Sequence, residues 1–253
     1  MKNLLISLFI IFCSSCSNDP KTDQVNKKSI DLTINQLNKK NKGIEVKEKV
    51  PGYQHHDGLW FAKDKHNTYS DLASYLYNNF IKKNNFKTIL ELGSGAGSLA
   101  YFLRQFDPTL VIVTTDGNKK TYKSPYVKSK HHFIARTDED LEFVDGNKNR
   151  IIFDFVISFE HFEHIQHERF HTVLDNIKKH MNEKTLCFCS AATWGGPGVY
   201  EPHCNVKTLS EWENYLTSQG FEILDTKLLT DVPHPFNFTW DRSHKLLFRL
   251  FTK

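Results

Sequence analysis

No stretch of this chain approaches the roughly 18 consecutive apolar residues that an ordinary membrane-crossing helix requires. Cysteine is too sparse and too scattered for an extracellular disulfide framework: Cys13 and Cys16 lie near the N-terminus, Cys187 and Cys189 sit two apart, and Cys204 stands alone. The Cys187/Cys189 spacing puts both on one face of a strand and does not suit a zinc knuckle, so the pair reads as small core residues. The body of the chain also lacks a basic excess. Between Lys21 and Val50 eight lysines face four acids, an excess equal to the net charge of all 253 residues, +4. A nucleic-acid enzyme more often carries its basic face on the folded domain itself, so nucleic acid is not the expected partner. What is present is 39% hydrophobic and 13% aromatic content, enough for one sizeable core.

The first 20 residues have Lys2, an apolar run from Leu4 to Phe12, and small residues before Cys16. That is the layout of a secretory signal peptide. The Ser14-Ser15-Cys16 ending resembles a bacterial lipoprotein signal, with Cys13 departing from the pattern. Residues 1–20 are therefore read as a signal or an anchor: an enzyme would lie in the cytoplasm or, with membrane association through this segment, on the cytoplasmic membrane face, and export as a lipoprotein is the other localisation this segment raises. An upstream start codon that is not used is the alternative. Residues 21–50, rich in Lys and Asn, read as a tether.

Beyond residue 51, strand and helix patterns alternate. Residues 67–80 form a helix with Asn67 or Ser70 as its cap. Strands follow at 87–92, 110–115, 132–135, 153–158 and 185–190. Helices lie at 98–105, 167–181 and 208–219, the last closed by Gly220. Strands at 221–229 and 245–252 end the chain. This alternation gives an α/β fold: a Rossmann-like, doubly wound sheet with helices on both faces. Ligands of such sheets bind at the C-terminal strand ends.

At the first of those ends the sequence reads TILELGSGAGSLAYFL, residues 88–103, a strand that turns through Gly93, Gly95 and Gly97 into a helix. Glycines let backbone approach a ligand, and the helix N-terminus offers unpaired N–H groups to a phosphate or a carboxylate. A dinucleotide fingerprint, G-x-G-x-x-G, would put its third glycine where Ser98 stands. An NAD(P)-dependent oxidoreductase is thus the lesser alternative. Asp116, followed by Gly117, closes the second strand 23 residues after Gly93. That is close to the spacing of ribose-binding acids.

Three segments carry a resemblance. E-x-G-x-G-x-G, from Glu91 to Gly97, resembles motif I of class I S-adenosylmethionine-dependent methyltransferases. FDFVISFEHFEHI, residues 153–165, is similar to that family's F-D-x-V-x-S…E-H-[IV] segment. ARTDEDLEF, residues 135–143, partly matches its adenine-reading loop, with Arg136 in place of a glycine and Thr137 in place of the acid. The resemblance covers about residues 87–253. It implies a seven-strand sheet with an antiparallel final hairpin, S-adenosyl-L-methionine as cofactor, and a methyltransferase domain at 51–253 whose residues 51–85 form an N-terminal helical cap. It implies cofactor binding by Glu91, Gly93, Ser94, Gly95, Gly97, Asp116, Gly117, Thr137, Asp138, Ser158 and Phe159.

The expected acceptor is an oxygen or nitrogen of a small molecule or glycan. His203 is the first candidate for a general base. It sits in WGGPGVYEPHCNVKTLSEW, residues 194–212, whose His-x-Asn resembles a segment of sugar and surface-polysaccharide methyltransferases. His161 and Glu160 are the other catalytic candidates, and His164 reads as structural. His161, His164, His167 and His171 have helix-face spacing, but the H-E-x-x-H frame is missing, so no metal is expected. His55, His56, Asp57, Trp60 and Phe61 precede the first helix and read as an ordinary packed appendage, with a lid as the alternative. The non-enzyme alternative is an exported binding protein that retains the fold.

Overall fold

The computed structural model describes residues 45–46, 66–118, 121, 124, 126, 131–196, 202–225, 229, 231–233 and 243–251. The N-terminal segment, most of the tether and the candidate lid residues lie outside this set. In chain order the elements are β1 (Glu45–Val46), α1 (His66–Leu76) continued by a π-helical turn (Tyr77–Ile81), β2 (Thr88–Leu92), α2 (Ser98–Phe106), β3 (Val111–Asp116), β4 (His132–Ile134), β5 (Phe143–Val144) and β6 (Phe155–Ser158). There follow 3₁₀ turns at Phe162–His164 and His167–Arg169, α3 (Phe170–Lys179), β7 (Leu186–Ala192), α4 (Leu209–Ser218), β8 (Phe221–Ile223) and β9 (Ser243–Leu250).

Seven strands form one sheet in the order β4-β3-β2-β6-β7-β9-β8. The pairs from β4 to β7 are parallel, and β9 runs antiparallel to both of its neighbours. The strands carry near-continuous apolar runs because both faces are covered. Successive side chains point to opposite faces, and the core divides accordingly. Ile89, Ile112, Phe155, Ile157, Phe188 and Leu247 pack with Leu72 and Leu76 of α1 and Leu99 and Leu103 of α2. Leu90, Val113, Val156, Cys187, Cys189, Leu246 and Phe248 pack with Phe170 and Leu174 of α3 and Trp212 and Leu216 of α4. The two buried cysteines are thus core residues on one face, as expected.

Several boundaries differ from the sequence reading. Helix α1 begins at His66, so Asn67 and Ser70 lie inside it and neither is its cap. β6 starts at Phe155 because the Asp154 carboxylate accepts hydrogen bonds from the Lys87 and Thr88 N–H groups and the Thr88 hydroxyl, at 2.7, 2.8 and 3.0 Å. The family-like Asp154 therefore pins the foot of β2 to β6. Within the range read as a tether, Glu45 and Val46 pair antiparallel with Val144 and Phe143. Helix α4 begins just after Thr208, which caps it. Thr208 Oγ1 accepts the Glu211 N–H at 3.3 Å, and Glu211 Oε2 accepts the Thr208 N–H at 2.7 Å, a reciprocal capping box. Thr208→Ala should cost about 1 kcal/mol, which thermal denaturation would read as a melting temperature about 2–4 °C lower.

The strand order reverses between β2 and β6. From β2 the chain winds outward to β3 and β4, then returns to start the other half at β6. Leu92 stands level with Thr115 on one side and Ser158 on the other. Gly93, Asp116 and Phe159 therefore leave the sheet side by side, at the crevice where open α/β sheets bind ligands.

Candidate active site

The glycine loop leaves β2 with all three glycines at positive φ: Gly93 at 67°, Gly95 at 52° and Gly97 at 76°. A side chain on Gly95 would meet nothing within 4 Å, so this part of the loop faces open space. At Gly93 the requirement is stricter. A Cβ there would sit 2.5 Å from Cδ2 and Cγ of His161, so the loop after β2 and the loop after β6 touch backbone to ring across the crevice.

Asp116 fixes the open part of the loop. Its Oδ2 accepts the Gly95 N–H at 2.8 Å and its Oδ1 accepts the Asn118 N–H at 2.7 Å. Burial raises its pKa, and the two backbone bonds act against that rise. Each carboxylate oxygen keeps a second acceptor position. Ser94 donates its N–H to the Thr115 carbonyl at 3.0 Å, and its buried hydroxyl has no hydrogen-bond partner among the described residues. Gly117 follows Asp116 in the turn out of β3.

Glu91 lies beneath the loop, 4% exposed. Burial pushes its carboxyl up to about 8; Arg104 pulls it down, Asp116 pushes it up, and the Ala100 N–H at the first turn of α2 pulls it down. Its Oε2 has no hydrogen-bond partner among the described residues. Burial, then the charges of Glu91 and Glu160, raise the pKa of the Tyr69 phenol. A helix read from sequence only as an apolar stripe thus brings a hydroxyl to the crevice.

His161 joins three segments. Its Nδ1 is 2.9 Å from Ser158 Oγ and its Nε2 is 2.9 Å from Thr137 Oγ1, under Gly93. Burial lowers its pKa to about 4, against the pull of Asp138. Both nitrogens lie within hydrogen-bond distance of hydroxyls, so the ring bridges β6 to the loop after β4. Thr137 is likewise turned toward His161. Asp138 is clamped by Arg136, with Nε at 2.9 Å and Nη2 at 2.6 Å, and by Arg169 Nη1 at 3.3 Å. Its pKa falls, because these guanidinium bonds outweigh burial. The loop carrying both is held by Asn176 of α3, whose amide donates to the Thr137 carbonyl at 2.8 Å and accepts the Leu141 N–H at 3.0 Å. Sequence spacing gives no sign of Asn176, because it acts from an adjacent helix.

Beyond Ser158, Phe159 stacks on Phe188 with ring centres 6.5 Å apart. Glu160 adopts a left-handed φ of 48° and its Oε1 accepts the Ser190 hydroxyl at 2.8 Å. Glu163 is fully buried, and neither of its carboxylate oxygens has a hydrogen-bond partner among the described residues. His203 arrives from the loop after β7. Its Nδ1 donates to the Trp194 carbonyl at 2.7 Å, and its ring lies between Trp194 and His164, with centres 4.6 and 4.8 Å away. Burial lowers its pKa, with the Trp194 carbonyl pulling the other way. His164 Nδ1 donates to the Pro202 carbonyl at 3.0 Å. The helix-face histidine cluster does not form: His167 is beside Lys207 Nζ at 3.2 Å and His171 is exposed. One ligating atom each from Glu163, His164 and His203 lie within 4.8 Å of one another.

The fold resembles solved methyltransferases at low sequence identity. An S-adenosylmethionine-dependent methyltransferase from Clostridium acetobutylicum is 12% identical, with 78% of this chain and 96% of that one aligned at a TM-score of 0.54. The CcbJ methyltransferase from Streptomyces caelestis is 9% identical over 81% of this chain and 99% of its own, at 0.56. Human N-acetylserotonin methyltransferase, solved in complex with SAM, is 15% identical at 0.54, and this chain spans 56% of its length. Among curated proteins, no sequence matches. The family model described as a methyltransferase domain matches residues 62–226, more than half of the chain. The match runs from the first helix past β8 and takes in every loop of the crevice, and the chain belongs to the methyltransferase-domain family.

Proposed function

We propose that this protein transfers a methyl group from S-adenosylmethionine to an oxygen or nitrogen of a small molecule or glycan. The observation that carries the reading is the crevice at the sheet's reversal point. There an open glycine loop is tied to Asp116 on one side, and a buried, half-unpartnered Glu91 waits on the other. A methyl donor of this kind brings a ribose diol for Asp116 and an α-ammonium for Glu91. Its carboxylate suits the N-terminal N–H groups of α2. In the transfer the sulfonium carbon–sulfur bond breaks, the sulfur keeps the electron pair, and the acceptor's lone pair forms the new bond to carbon. Positioning supplies much of the rate. The acceptor side is formed by Glu160, His164, Trp194 and His203, which leave the ends of β6 and β7. The family assignment replaces the oxidoreductase alternative. Incubating the purified protein with deuterated-methyl donor and a cell extract should give a labelled product by mass spectrometry. A protein that binds no S-adenosylhomocysteine in calorimetry would sink the reading.

Glu91 adds a pH dependence. With its carboxyl at about 8, the empty site holds Glu91 neutral near pH 7. A bound α-ammonium favours the carboxylate, so binding releases a proton. Affinity for S-adenosylhomocysteine should then rise with pH toward about 8, by up to about tenfold per unit. It should turn over at higher pH, as the ligand's own α-ammonium deprotonates. Glu91→Gln should lose the rising limb. Calorimetry in buffers of different ionisation enthalpy measures the released proton, and a wild-type affinity independent of pH would remove Glu91 from the methionine end.

A further inference from the structure

Glu163 is a fully buried carboxyl group with only weakly placed backbone donors near it, its own N–H and that of Ala192. Both of its oxygens are closed off from solvent and lack a hydrogen-bond partner among the described residues, although a single charge-assisted bond would stabilise either. Buried polar atoms without a well-aligned partner call for a physical reason, and a bound ion is one. The neighbours indicate which ion. A carbonyl oxygen can only accept, so His164 and His203, each with Nδ1 on a backbone carbonyl, must carry their proton on Nδ1. In the neutral ring that makes Nε2 the nitrogen with the lone pair. Histidines that bind metal through one nitrogen characteristically donate the other N–H to a carbonyl or carboxylate, which fixes tautomer and ring angle.

We propose that Glu163, His164 and His203 form a binding site for a divalent transition metal of the zinc class. Ligands about 2.1 Å from a tetrahedral ion stand about 3.4 Å apart. The three groups already lie within 4.8 Å of one another, so a small inward shift of side chains completes the shell. Their backbone is held in place. The Asn205 N–H bonds the Glu163 carbonyl at 3.0 Å and the Asn205 amide reaches the Phe162 carbonyl at 3.4 Å, which binds the His203 loop to the turn carrying the other two ligands. Gly195, at φ 105°, leaves the room in which His203 sits: a Cβ there would come 2.7 Å from that of His203. Neutral imidazole and carboxylate suit zinc, and three protein ligands leave a position for a further oxygen.

This assignment replaces the base role of His203, since a nitrogen that coordinates a metal has no lone pair left for a proton. Resting on the methyltransferase reading, the open position would take the acceptor's oxygen. The metal would lower that oxygen's pKa and so ease loss of its proton, which makes the substrate class a hydroxyl compound rather than an amine.

The test uses the full chain stripped of metal by a chelator and titrated with Co²⁺, in the absence of the methyl donor. One equivalent should bind with the visible bands of a four- or five-coordinate site, and Zn²⁺ should displace it. His203→Ala and Glu163→Gln should each weaken Co²⁺ binding at least about tenfold, whereas His171→Ala, on an exposed helix face, should leave it unchanged. X-ray absorption of the zinc-loaded wild type needs no variant and should show imidazole scattering from two histidines. Co²⁺ that stays six-coordinate, a zinc shell without imidazole, or binding unaffected by His203→Ala would overturn the proposal. Binding of S-adenosylhomocysteine, measured separately, tests the methyltransferase reading, so either can fail without the other.

Discussion

Gly93→Ala should cripple this protein more than any other substitution in the glycine loop. Two effects add. A non-glycine residue at φ 67° costs about 1–2 kcal/mol from the left-handed backbone alone. The new methyl would also overlap the His161 ring at 2.5 Å, and that ring cannot swing aside without leaving Ser158 and Thr137. Each of those hydrogen bonds contributes about 0.5–1.5 kcal/mol net. Together the loss is about 3 kcal/mol, so the melting temperature should fall by about 6–12 °C. Because the displaced ring props the loops on both sides of the crevice, affinity for S-adenosylhomocysteine should fall at least about a hundredfold, the equivalent of 2.7 kcal/mol. The mechanism has a specific signature. In the double variant Gly93→Ala with His161→Ala the clash disappears, so the two effects should be strongly non-additive. Additive losses would show that the ring contact is not the cause.

The same pair shows where sequence reading stops. TILELGSGAG is a local pattern, and a local pattern fixes the strand, the bend and the following helix, which the structure places at Thr88–Leu92 and Ser98–Phe106. The alternating core was legible for the same reason. What His161 does was not, because its partners lie 3 and 24 residues away in sequence, one at the end of β6 and one in the loop after β4. Spacing alone suggested a helical histidine face, whereas the chain after His161 forms separate 3₁₀ turns that send His164 and His167 to different neighbours. The convergence of Glu163 and His164 with His203 spans about forty residues and depends on β6 and β7 being adjacent in the sheet. Of the expected strand at 221–229, the described residues place Phe221–Ile223 in β8, at the sheet edge beside β9. Pairing of Glu45 and Val46 with β5 has no local signal at all: a two-residue strand in a lysine-rich stretch resembles its surroundings.

Asp116→Ala should abolish useful cofactor affinity by removing two functions at once. In the empty site its carboxylate accepts the Gly95 and Asn118 N–H groups, so it shapes the loop before any ligand arrives. On binding, its remaining acceptor positions would take the ribose hydroxyls. Hydrogen bonds to a charged group contribute about 1.5–3 kcal/mol each, so loss of two to the ribose predicts a fall of at least about a hundredfold for S-adenosylhomocysteine. The two stranded N–H groups would cost stability as well, about 1–3 kcal/mol for each that stays buried, seen as a lower melting temperature without ligand. Asp116→Asn separates the two functions. It keeps the volume, but its amide must point a donor at one of the two backbone donors, so it should destabilise the empty protein while leaving one oxygen for the ribose. Wild-type affinity in Asp116→Asn with a lowered melting temperature would restrict Asp116 to holding the loop. Near-normal stability with affinity lost would place its main effect on the ribose. The geometry calls for both losses together, because the same two oxygens hold the loop and face the crevice.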